Sequence, residues 1–325
     1  MLVFYRPFTD PYFNIAAEEY FVKHAVDDIC MIWISEPSVI IGKHQNAFAE
    51  INYPYVLKNH IPVIRRISGG GAVYHDTGNV NFTFIQKIKP GFPVDFAQFT
   101  SVIIRFMKSL GIVATSNRRN SLFAGDLKFS GHAEHIFHDK VLHHGTILFS
   151  TNLVILQHCL TPVKEYQGKA LPSVRSKVGN LAPLLPQIAD VHEFVKQFTS
   201  WLNSQYPGSH SYYLTEADSK SINALADTKY KTWQWNFGYS PAYAFDINIP
   251  ASGGNVMLKI KVKNGIITKT ETSNLSENRA VSDVLSGLAG IPYHAEGIRE
   301  FIRKNQFRLE LAGIKTVTLS EAFFS

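Results

Sequence analysis

The spacing of apolar and polar residues predicts that strands and helices alternate along the chain. Runs rich in β-branched and aromatic residues, among them MIWIS, VIIGKH and NVNFTFI, have the composition of strands. We expect MIWIS and VIIGKH to pair as a hairpin across EPS, and Asn14 to cap the first helix. Apolar residues at helical spacing predict helices over residues 14–25, 95–112, 190–206 and 215–230.

The last part of the chain has a pattern of its own. Beyond residue 240, strand-like runs flank Asn264-Gly265, a dipeptide that favours a tight turn between antiparallel strands. Two more helices are expected near residues 280–289 and 293–304. The predicted fold class is α+β, with a large mixed-sheet domain over residues 1–239 and a small α+β domain over residues 240–325.

Charge and cysteine content narrow the class of protein. The 325 residues carry a formal charge of +6, which suggests an acidic partner, but no Lys/Arg run exceeds two residues. No nucleic-acid recognition signature occurs, so nucleic-acid binding is a weak alternative. Cys30 and Cys159 are the only cysteines, which excludes a disulfide framework. With no secretory signal and no apolar stretch long enough to span a bilayer, we expect a cytoplasmic protein without membrane contact.

The segment RRISGGGAVYHD, residues 65–76, concentrates glycines beside charged residues. It lacks the Gly-Lys-Ser/Thr ending of a phosphate-binding P-loop, and it joins two strands where a dinucleotide motif would join a strand to a helix. Backbone without Cβ atoms lets N–H groups approach a phosphate closely, and Arg65 and Arg66 can supply countercharge. A glycine-rich bulge flanked by surface arginines explains the same residues equally well.

Lys128 and the histidines after it are further candidates. Lys128 lies in a predicted strand, where a lysine is usually solvated; held over a reacting anion at 4 Å, its charge would contribute ~4 kcal/mol at an effective dielectric near 20. Five histidines follow between residues 132 and 144, but their spacing fits no zinc site, so no metal site is predicted. His144 is the better candidate for a ligand contact, and Cys159 is best explained as a buried structural thiol.

Several ordered motifs resemble the lipoate–protein ligase A family. DPYFNIAAEEY is similar to the family's N-terminal helix, and SVIIGKHQNAFAEIN to the segment after it. RRISGGGAVYHDTGNVNFTF matches the family's glycine signature at every specified position, while LKFSGHA and LHHGTILFS resemble its lysine and double-histidine motifs. SVRSKVGNL and WQWNFGYSP extend the resemblance over nearly the whole chain. One departure is Ser121, where the family usually has aspartate.

The resemblance implies a biotin/lipoate-ligase type of catalytic domain, an accessory C-terminal domain and a two-step reaction. Lipoate and ATP with Mg²⁺ would give lipoyl-AMP and pyrophosphate, and the lipoyl group would then pass to an acceptor lysine. Lys128 is implied as the catalytic residue that contacts lipoate and phosphate. The implied ATP and lipoyl-AMP contacts are Arg66, Ser68, Gly70, Gly71, Ala72, Val73, Tyr74, His75, Asn79, Asn120, Lys128 and His144.

The family's acceptors are acidic lipoyl domains of 2-oxoacid dehydrogenase E2 subunits and the glycine-cleavage H protein, and the charge of +6 fits them. An apolar part of the pocket is expected from Phe13, Ile15, Ala16 and Trp33. Two alternatives within the fold are a transferase that uses a cysteine thioester, for which Cys159 is the candidate, and a transferase fed with preformed lipoyl-AMP. The intact glycine segment together with Lys128 favours the adenylating enzyme.

Overall fold

The computed structural model describes residues 1–88, 94–117, 121–251, 254–273 and 279–324. The chain divides into two compact units. Unit 1 contains residues 1–43, 61–158 and 173–232, and unit 2 contains residues 44–60, 159–172 and 233–325. Each unit combines helices with sheets, so the predicted α+β class is confirmed.

Fifteen strands are found among the described residues. They are β1 (Leu2–Arg6), β2 (Ile29–Ile34), β3 (Ser38–Ile41), β4 (Val63–Arg65), β5 (Val73–His75), β6 (Asn79–Lys87), β7 (Ala114–Ser116), β8 (Leu122–Ala124), β9 (Leu127–Ser130), β10 (His132–Phe137), β11 (Lys140–Leu148), β12 (Gln167–Gly168), β13 (Tyr243–Ala251), β14 (Gly254–Lys263) and β15 (Ile266–Ser273).

Eleven α-helices accompany them in the same described ranges. They are α1 (Pro11–His24), α2 (Ala47–Glu50), α3 (Tyr53–Lys58), α4 (Ala97–Ser109), α5 (Leu153–Cys159), α6 (Val191–Gln205), α7 (Glu216–Leu225), α8 (Arg279–Ser286), α9 (Ala295–Lys304), α10 (Gln306–Leu311) and α11 (Thr316–Phe324). None of the helices in the described part of the chain has the length and apolar character needed to cross a membrane.

Unit 1 is built on a five-stranded sheet in the order β1-β2-β6-β11-β10, in which β1 and β2 run parallel and the other neighbours antiparallel. One face carries Ile32, Phe82, Phe84 and Ile147, and helices α4 and α6 cover it with Phe99, Phe106, Phe194, Phe198 and other apolar side chains. Because side chains alternate along a strand, the residues between these point to the opposite face.

The opposite face of this sheet is polar. The register aligns Arg6 with Trp33, Trp33 with Asn81, and Asn81 with Thr146, so these four side chains form a row across four strands. A neighbouring row consists of Met31, Thr83, His144 and Ala133. Helix α1 contacts β6 and β11 and supplies buried Glu18. The strands thus present one apolar face and one polar face, both shielded from solvent.

Two sequence predictions in this unit are wrong. The segments MIWIS and VIIGKH form no hairpin, because β2 joins the five-stranded sheet while β3 pairs with β4 and β5 in a separate sheet. Helix α1 begins at Pro11, and its cap is Asp10, whose carboxylate accepts the backbone N–H of Phe13 at 2.7 Å. Proline at the first helical position moves the start upstream of Asn14, which is buried and donates to Phe8 O and Ile34 O.

Unit 2 has a sheet in the order β12-β13-β14-β15. Its core includes Tyr243, Ile260 and Tyr293, together with Phe48 from the segment 44–60. Asn264 and Gly265 both have positive φ, 51° and 74°, as the predicted tight turn between β14 and β15 requires. Since Phe48 and Tyr166 pack with these later residues, a chain ending at residue 239 would expose part of this core. The predicted boundary at 239/240 stays a prediction.

Candidate active site

The glycine segment of unit 1 connects β4 to β5 and packs closely on neighbouring backbone. A Cβ on Gly42 would lie 2.1 Å from Gly70 O, so the two segments touch without side chains between them. Gly70 has a φ of +87°, and a Cβ there would also meet Arg66 Nη2 at 2.8 Å. Glycine is therefore required at both positions by contact, and at Gly70 by conformation as well.

Arg66 lies beneath this segment rather than at the surface. Its Nε donates to Ser68 Oγ at 2.9 Å, and its Nη2 donates to the carbonyls of Gly69 and Gly71, the latter at 2.8 Å. Arg65 is also buried and donates to Gly42 O and Lys43 O. The alternative of surface arginines beside a bulge is thus wrong, because both guanidinium groups bind backbone carbonyls.

The carbonyl contacts of Arg66 set the direction of the neighbouring N–H groups. In a trans peptide the N–H points opposite to the C=O that precedes it. With the Gly69 and Gly71 carbonyls turned toward Arg66, the N–H groups of Gly70 and Ala72 face the other way. Ala72 N–H donates to Ser173 Oγ at 2.8 Å, so this N–H group already binds an oxygen acceptor on that side.

A chain of buried polar groups continues from Ser68. Ser68 Oγ lies 2.6 Å from His144 Nε2, and His144 Nδ1 lies 2.8 Å from Glu18 Oε1. The same carboxylate oxygen accepts the hydroxyl of Thr83 at 2.6 Å. His144 reaches this position because its register partner is Thr83, on the polar face of the sheet. The sequence analysis had singled out His144 among the five histidines, and the register places it on the polar face of the sheet.

Several buried polar atoms near these hydrogen-bonded side chains have no hydrogen-bond partner among the described residues. They are Arg6 Nε and Nη1, His75 Nδ1, Asn79 Oδ1 and Asn81 Nδ2. Burial, then the charges of Arg66 and His144, lowers the pKa of His75 to about 3, so its imidazole is neutral at pH 7. A buried polar group without a partner is costly. The polar face is therefore suited to receive hydrogen-bonding groups of a bound molecule.

Lys128 lies in β9, as predicted, and its amine packs over Gly131, where a Cβ would be 3.4 Å from Nζ. Its backbone N–H donates to Lys177 O, and its carbonyl accepts the N–H of Gly179, both at 3.0 Å. Desolvation by burial lowers the pKa of Lys128 from its ordinary value. The two backbone bonds fix the strand residue that carries this half-buried ammonium, whose positive charge is suited to bind an anionic group.

The structure places the predicted site residues within unit 1 and joins Arg66, Ser68, Gly71 and His144 by direct hydrogen bonds. Tyr74 is buried in β5, and the side-chain amide of Asn79 donates to Asn81. Asn120 lies outside the described residues. Among the expected apolar residues, Phe13, Ile15, Ala16 and Trp33 are all buried, and Trp33 is on the polar face of the sheet.

Two histidines of the segment 132–144 lie on the other face of the sheet. His132 and His143 are on the apolar face, with 2.8 Å between His132 Nδ1 and His143 Nε2, and the His143 ring stacks on Phe99. His143 Nδ1 lies 3.2 Å from Glu134 Oε1. Across the described residues, no group of three or more histidine, cysteine or acidic side chains is arranged to hold a metal.

Two functional candidates escaped the sequence interpretation. Glu18 lies beside Glu19 in DPYFNIAAEEY, to which the sequence analysis assigned no site role, and both carboxylates are buried, at 1% and 4% exposure. Ser173 begins SVRSKVGNL, a segment that the sequence analysis compared with the family without assigning a role to this residue, and its contact with Ala72 arises from the fold. The resemblance of DPYFNIAAEEY to the family's N-terminal helix is the sequence signal that could have pointed to Glu18.

The chain is similar to known proteins over most of its length. A family model for the lipoyl protein ligase A/B catalytic domain matches residues 10–203. Lipoate–protein ligase 1 of Staphylococcus aureus (strain Mu50) is 35% identical over 297 residues, which cover 90% of each chain. Lipoate–protein ligase LplJ of Bacillus subtilis is 35% identical over 266 residues, covering 79% of this chain and 80% of the relative.

Solved structures have the same fold. The P. falciparum LipL1 structure in complex with lipoate superimposes with a TM-score of 0.62 at 26% identity, over 96% of this chain and 98% of that one. Lipoate-protein ligase A bound with ATP gives a TM-score of 0.62 at 24% identity, over 74% and 100%. The chain belongs to the lipoate–protein ligase family and is an enzyme of the ligase class.

The two cysteines bear on one of the alternatives raised by the sequence, the transferase that uses a cysteine thioester. Cys159 is fully buried, and desolvation raises the pKa of its thiol to about 12, so it carries almost no thiolate at neutral pH. Cys30 is equally buried, with its pKa also raised. A transferase that forms a cysteine thioester is therefore disfavoured, in agreement with the named relatives.

Proposed function

We propose that this enzyme activates lipoate with ATP and transfers the lipoyl group to a lysine of an acidic lipoyl domain. In the first step, a lipoate carboxylate oxygen attacks the α-phosphorus, the bond to the β-phosphate oxygen breaks, and pyrophosphate leaves. In the second, the acceptor amine attacks the carbonyl carbon of lipoyl-AMP, AMP leaves, and the amine loses a proton. The observation that supports this proposal most directly is the buried arrangement of Arg66, Ser68 and His144 beneath the glycine segment.

Lys128 is the proposed catalytic residue. Its ammonium would contact both the lipoate carboxylate and the α-phosphate, which are negative and must approach each other in the first step. A fixed positive charge stabilises the transition state as charge shifts to the phosphate oxygens. The lowered pKa of Lys128 reflects a site with little water, where such a charge acts strongly.

The glycine segment is the proposed phosphate cradle. Arg66 fixes its carbonyls, so that the N–H groups of Gly70 and Ala72 are turned to the other side, toward a bound phosphate. In this proposal Ser173 Oγ gives up the Ala72 N–H when nucleotide binds. Val73, Tyr74, His75, Asn79 and Asn120 are proposed to line the remainder of the nucleotide and acyl pocket.

Mg²⁺ is proposed as a companion of ATP, bound chiefly through the phosphates. Mg²⁺ typically keeps several waters and uses few protein carboxylates, so a cluster of protein ligands is not required. The nearby Asp76 carboxylate already accepts the N–H groups of Gly78 and Asn152. When bound, the ion would offset negative charge on the phosphates and assist the departure of pyrophosphate.

The acceptor is proposed to be a small acidic lipoyl domain. The chain's charge of +6 complements such a partner. A related archaeal ligase, 24% identical over 73% of this chain, is described with an E2 lipoyl domain. By the same analogy, the H protein of glycine cleavage is a second acceptor, and the cytoplasm is the proposed compartment.

The test is to incubate the enzyme with ATP, Mg²⁺ and lipoate in the absence of acceptor and to measure lipoyl-AMP by mass spectrometry. We expect lipoyl-AMP, with pyrophosphate released only when lipoate is present. Transfer to an added lipoyl domain from synthetic lipoyl-AMP, without formation of lipoyl-AMP from ATP, would overturn the proposal in favour of the transferase alternative.

A further inference from the structure

Glu18 is a buried carboxylate that the proposed reaction does not yet use. It lies on helix α1, is 1% exposed, and points to the polar face of the sheet. Its Oε1 accepts the hydroxyl of Thr83 at 2.6 Å, and Thr83 Oγ in turn accepts the indole N–H of Trp33 at 3.0 Å. Both of its carboxylate oxygens lie within 2.9 Å of His144 Nδ1.

The directions of the hydrogen bonds follow from the two end members of the hydrogen-bonded series, Glu18 and Arg66. A carboxylate only accepts, so His144 carries a proton on Nδ1, and its Nε2 lies 2.6 Å from the hydroxyl oxygen of Ser68. A guanidinium only donates, so Ser68 Oγ accepts from Arg66 Nε. Each contact in the series Glu18–His144–Ser68–Arg66 thus has a donor and an acceptor.

Glu18 also supplies negative charge to two buried guanidinium groups. Burial lowers the pKa of Arg6 and of Arg66 to about 10, and the charge of Glu18 opposes this effect at both residues. Arg6 is 1% exposed and Arg66 is 5% exposed, so solvent compensates neither charge well. Removal of the carboxylate charge would leave two buried cations and would loosen the hold on His144.

We propose that Glu18 is a positioning residue for adenylate formation, which acts through His144 and Ser68 to hold Arg66 against the glycine segment. This inference rests on the proposed function. Arg66 fixes the Gly69 and Gly71 carbonyls, so a displaced Arg66 would turn the N–H groups of Gly70 and Ala72 away from the phosphate. Glu18 touches no substrate in this account, and its effect reaches the reaction through the loop.

The adjacent residue provides a matched control. Glu19 lies on the same helix, is 4% exposed, and binds Lys23, Lys229 and Tyr230. It has no contact with His144 or Ser68 among the hydrogen bonds of the described residues. Glu18→Gln and Glu19→Gln each remove one buried negative charge with almost no change of shape. Glu18→Gln removes the charge beside His144, whereas Glu19→Gln removes it beside Lys23 and Lys229.

The experiment measures the rate of lipoyl-AMP formation and the KM values for ATP and lipoate in both variants. For Glu18→Gln we expect the rate to fall ~10–100-fold, the scale of a catalytic group displaced by about 1 Å, with KM for lipoate within about threefold of wild type. Glu19→Gln should stay within about threefold in rate. If circular dichroism shows that Glu18→Gln is unfolded, Thr83→Val is used in its place. We expect Thr83→Val to slow the reaction ~3–10-fold.

A double-mutant cycle separates positioning from general damage. Because Glu18 acts through His144, the effects of Glu18→Gln and His144→Gln should not multiply, whereas those of Glu18→Gln and Lys128→Ala should. The inference is overturned if folded Glu18→Gln and Thr83→Val both react at the wild-type rate. It is also overturned if the effects of Glu18→Gln and His144→Gln multiply fully. In both cases wild-type enzyme still makes lipoyl-AMP. Absence of lipoyl-AMP from wild-type enzyme overturns the proposed function itself and the inference with it.

Discussion

The two faces of the five-stranded sheet in unit 1 use neighbouring residues of the same strands for opposite purposes. His143 and His144 are adjacent in β11, yet His143 packs on Phe99 and contacts His132, while His144 connects Glu18 to Ser68. The same residue type thus serves core packing on one face and a polar network on the other. Strand register alone makes the distinction, so a one-residue shift would exchange the roles.

The largest expected effect lies on the apolar face. Phe82 is fully buried in the core beneath α4, so Phe82→Ala should lower the free energy of unfolding by ~3–5 kcal/mol. Urea unfolding followed by circular dichroism measures this change. A loss below about 1 kcal/mol would show that the apolar face contributes far less to stability than its burial indicates.

Lys128→Ala should affect the reaction rate far more than the stability of the fold. We expect adenylate formation to slow by ~10²–10³-fold, the size of a lost preorganised electrostatic contact. The free energy of unfolding should change by about 1 kcal/mol or less, since the side chain is only half-buried. Single-turnover assays for lipoyl-AMP measure the rate, and Lys177→Ala, an exposed lysine whose backbone pairs with Lys128, is the control. An unchanged first step would remove the catalytic role of Lys128.

Acid should weaken the fold through two buried neutral histidines, His132 on the apolar face of the five-stranded sheet and His75 of β5, whose ring contacts Trp33 on the polar face. Burial, followed by nearby positive charge, lowers the pKa of His75 to about 3, and burial lowers that of His132 well below its ordinary value. Below pH ~6.5 the unfolded chain binds protons that the folded protein does not, so stability falls with falling pH by up to ~1.4 kcal/mol per pH unit for each such histidine.

Urea unfolding at pH 7 and pH 5 checks this expectation. We expect the free energy of unfolding to be lower at pH 5, and His75→Gln to reduce the difference between the two pH values by ~2 kcal/mol. Equal or greater stability at pH 5 would contradict the assignment of these histidines as neutral.

The smallest expected effect is that of Cys159→Ala. Because the thiol is buried and protonated, the substitution should leave both reaction steps within about twofold of wild type and cost about 1 kcal/mol of stability. Transfer assays with a lipoyl domain give the rates. A selective loss of the transfer step would instead support a thioester mechanism.

The class of the fold, most helices and the glycine segment could be predicted from the sequence, because they depend on local pattern and on residues with special backbone properties. The strand partners of β2 and of β3 could not be predicted, because they depend on contacts between distant segments. The sequence analysis singled out His144 among the five histidines, but it gave no role to His143, whose place in the core follows from the strand register. Glu18 and Ser173 belong to the same category, because their roles exist only after α1 and the segment 173–179 are placed.

Paired substitution of the two histidines tests the central claim most directly. His143→Gln and His144→Gln are adjacent and chemically identical changes, and each variant is measured for urea stability and for the rate of lipoyl-AMP formation. We predict that His143→Gln lowers the free energy of unfolding by ~1–3 kcal/mol with a rate within about threefold of wild type. His144→Gln should instead slow the reaction at least ~10-fold. Equal profiles for the two variants, or a slow enzyme only for His143→Gln, would contradict the account.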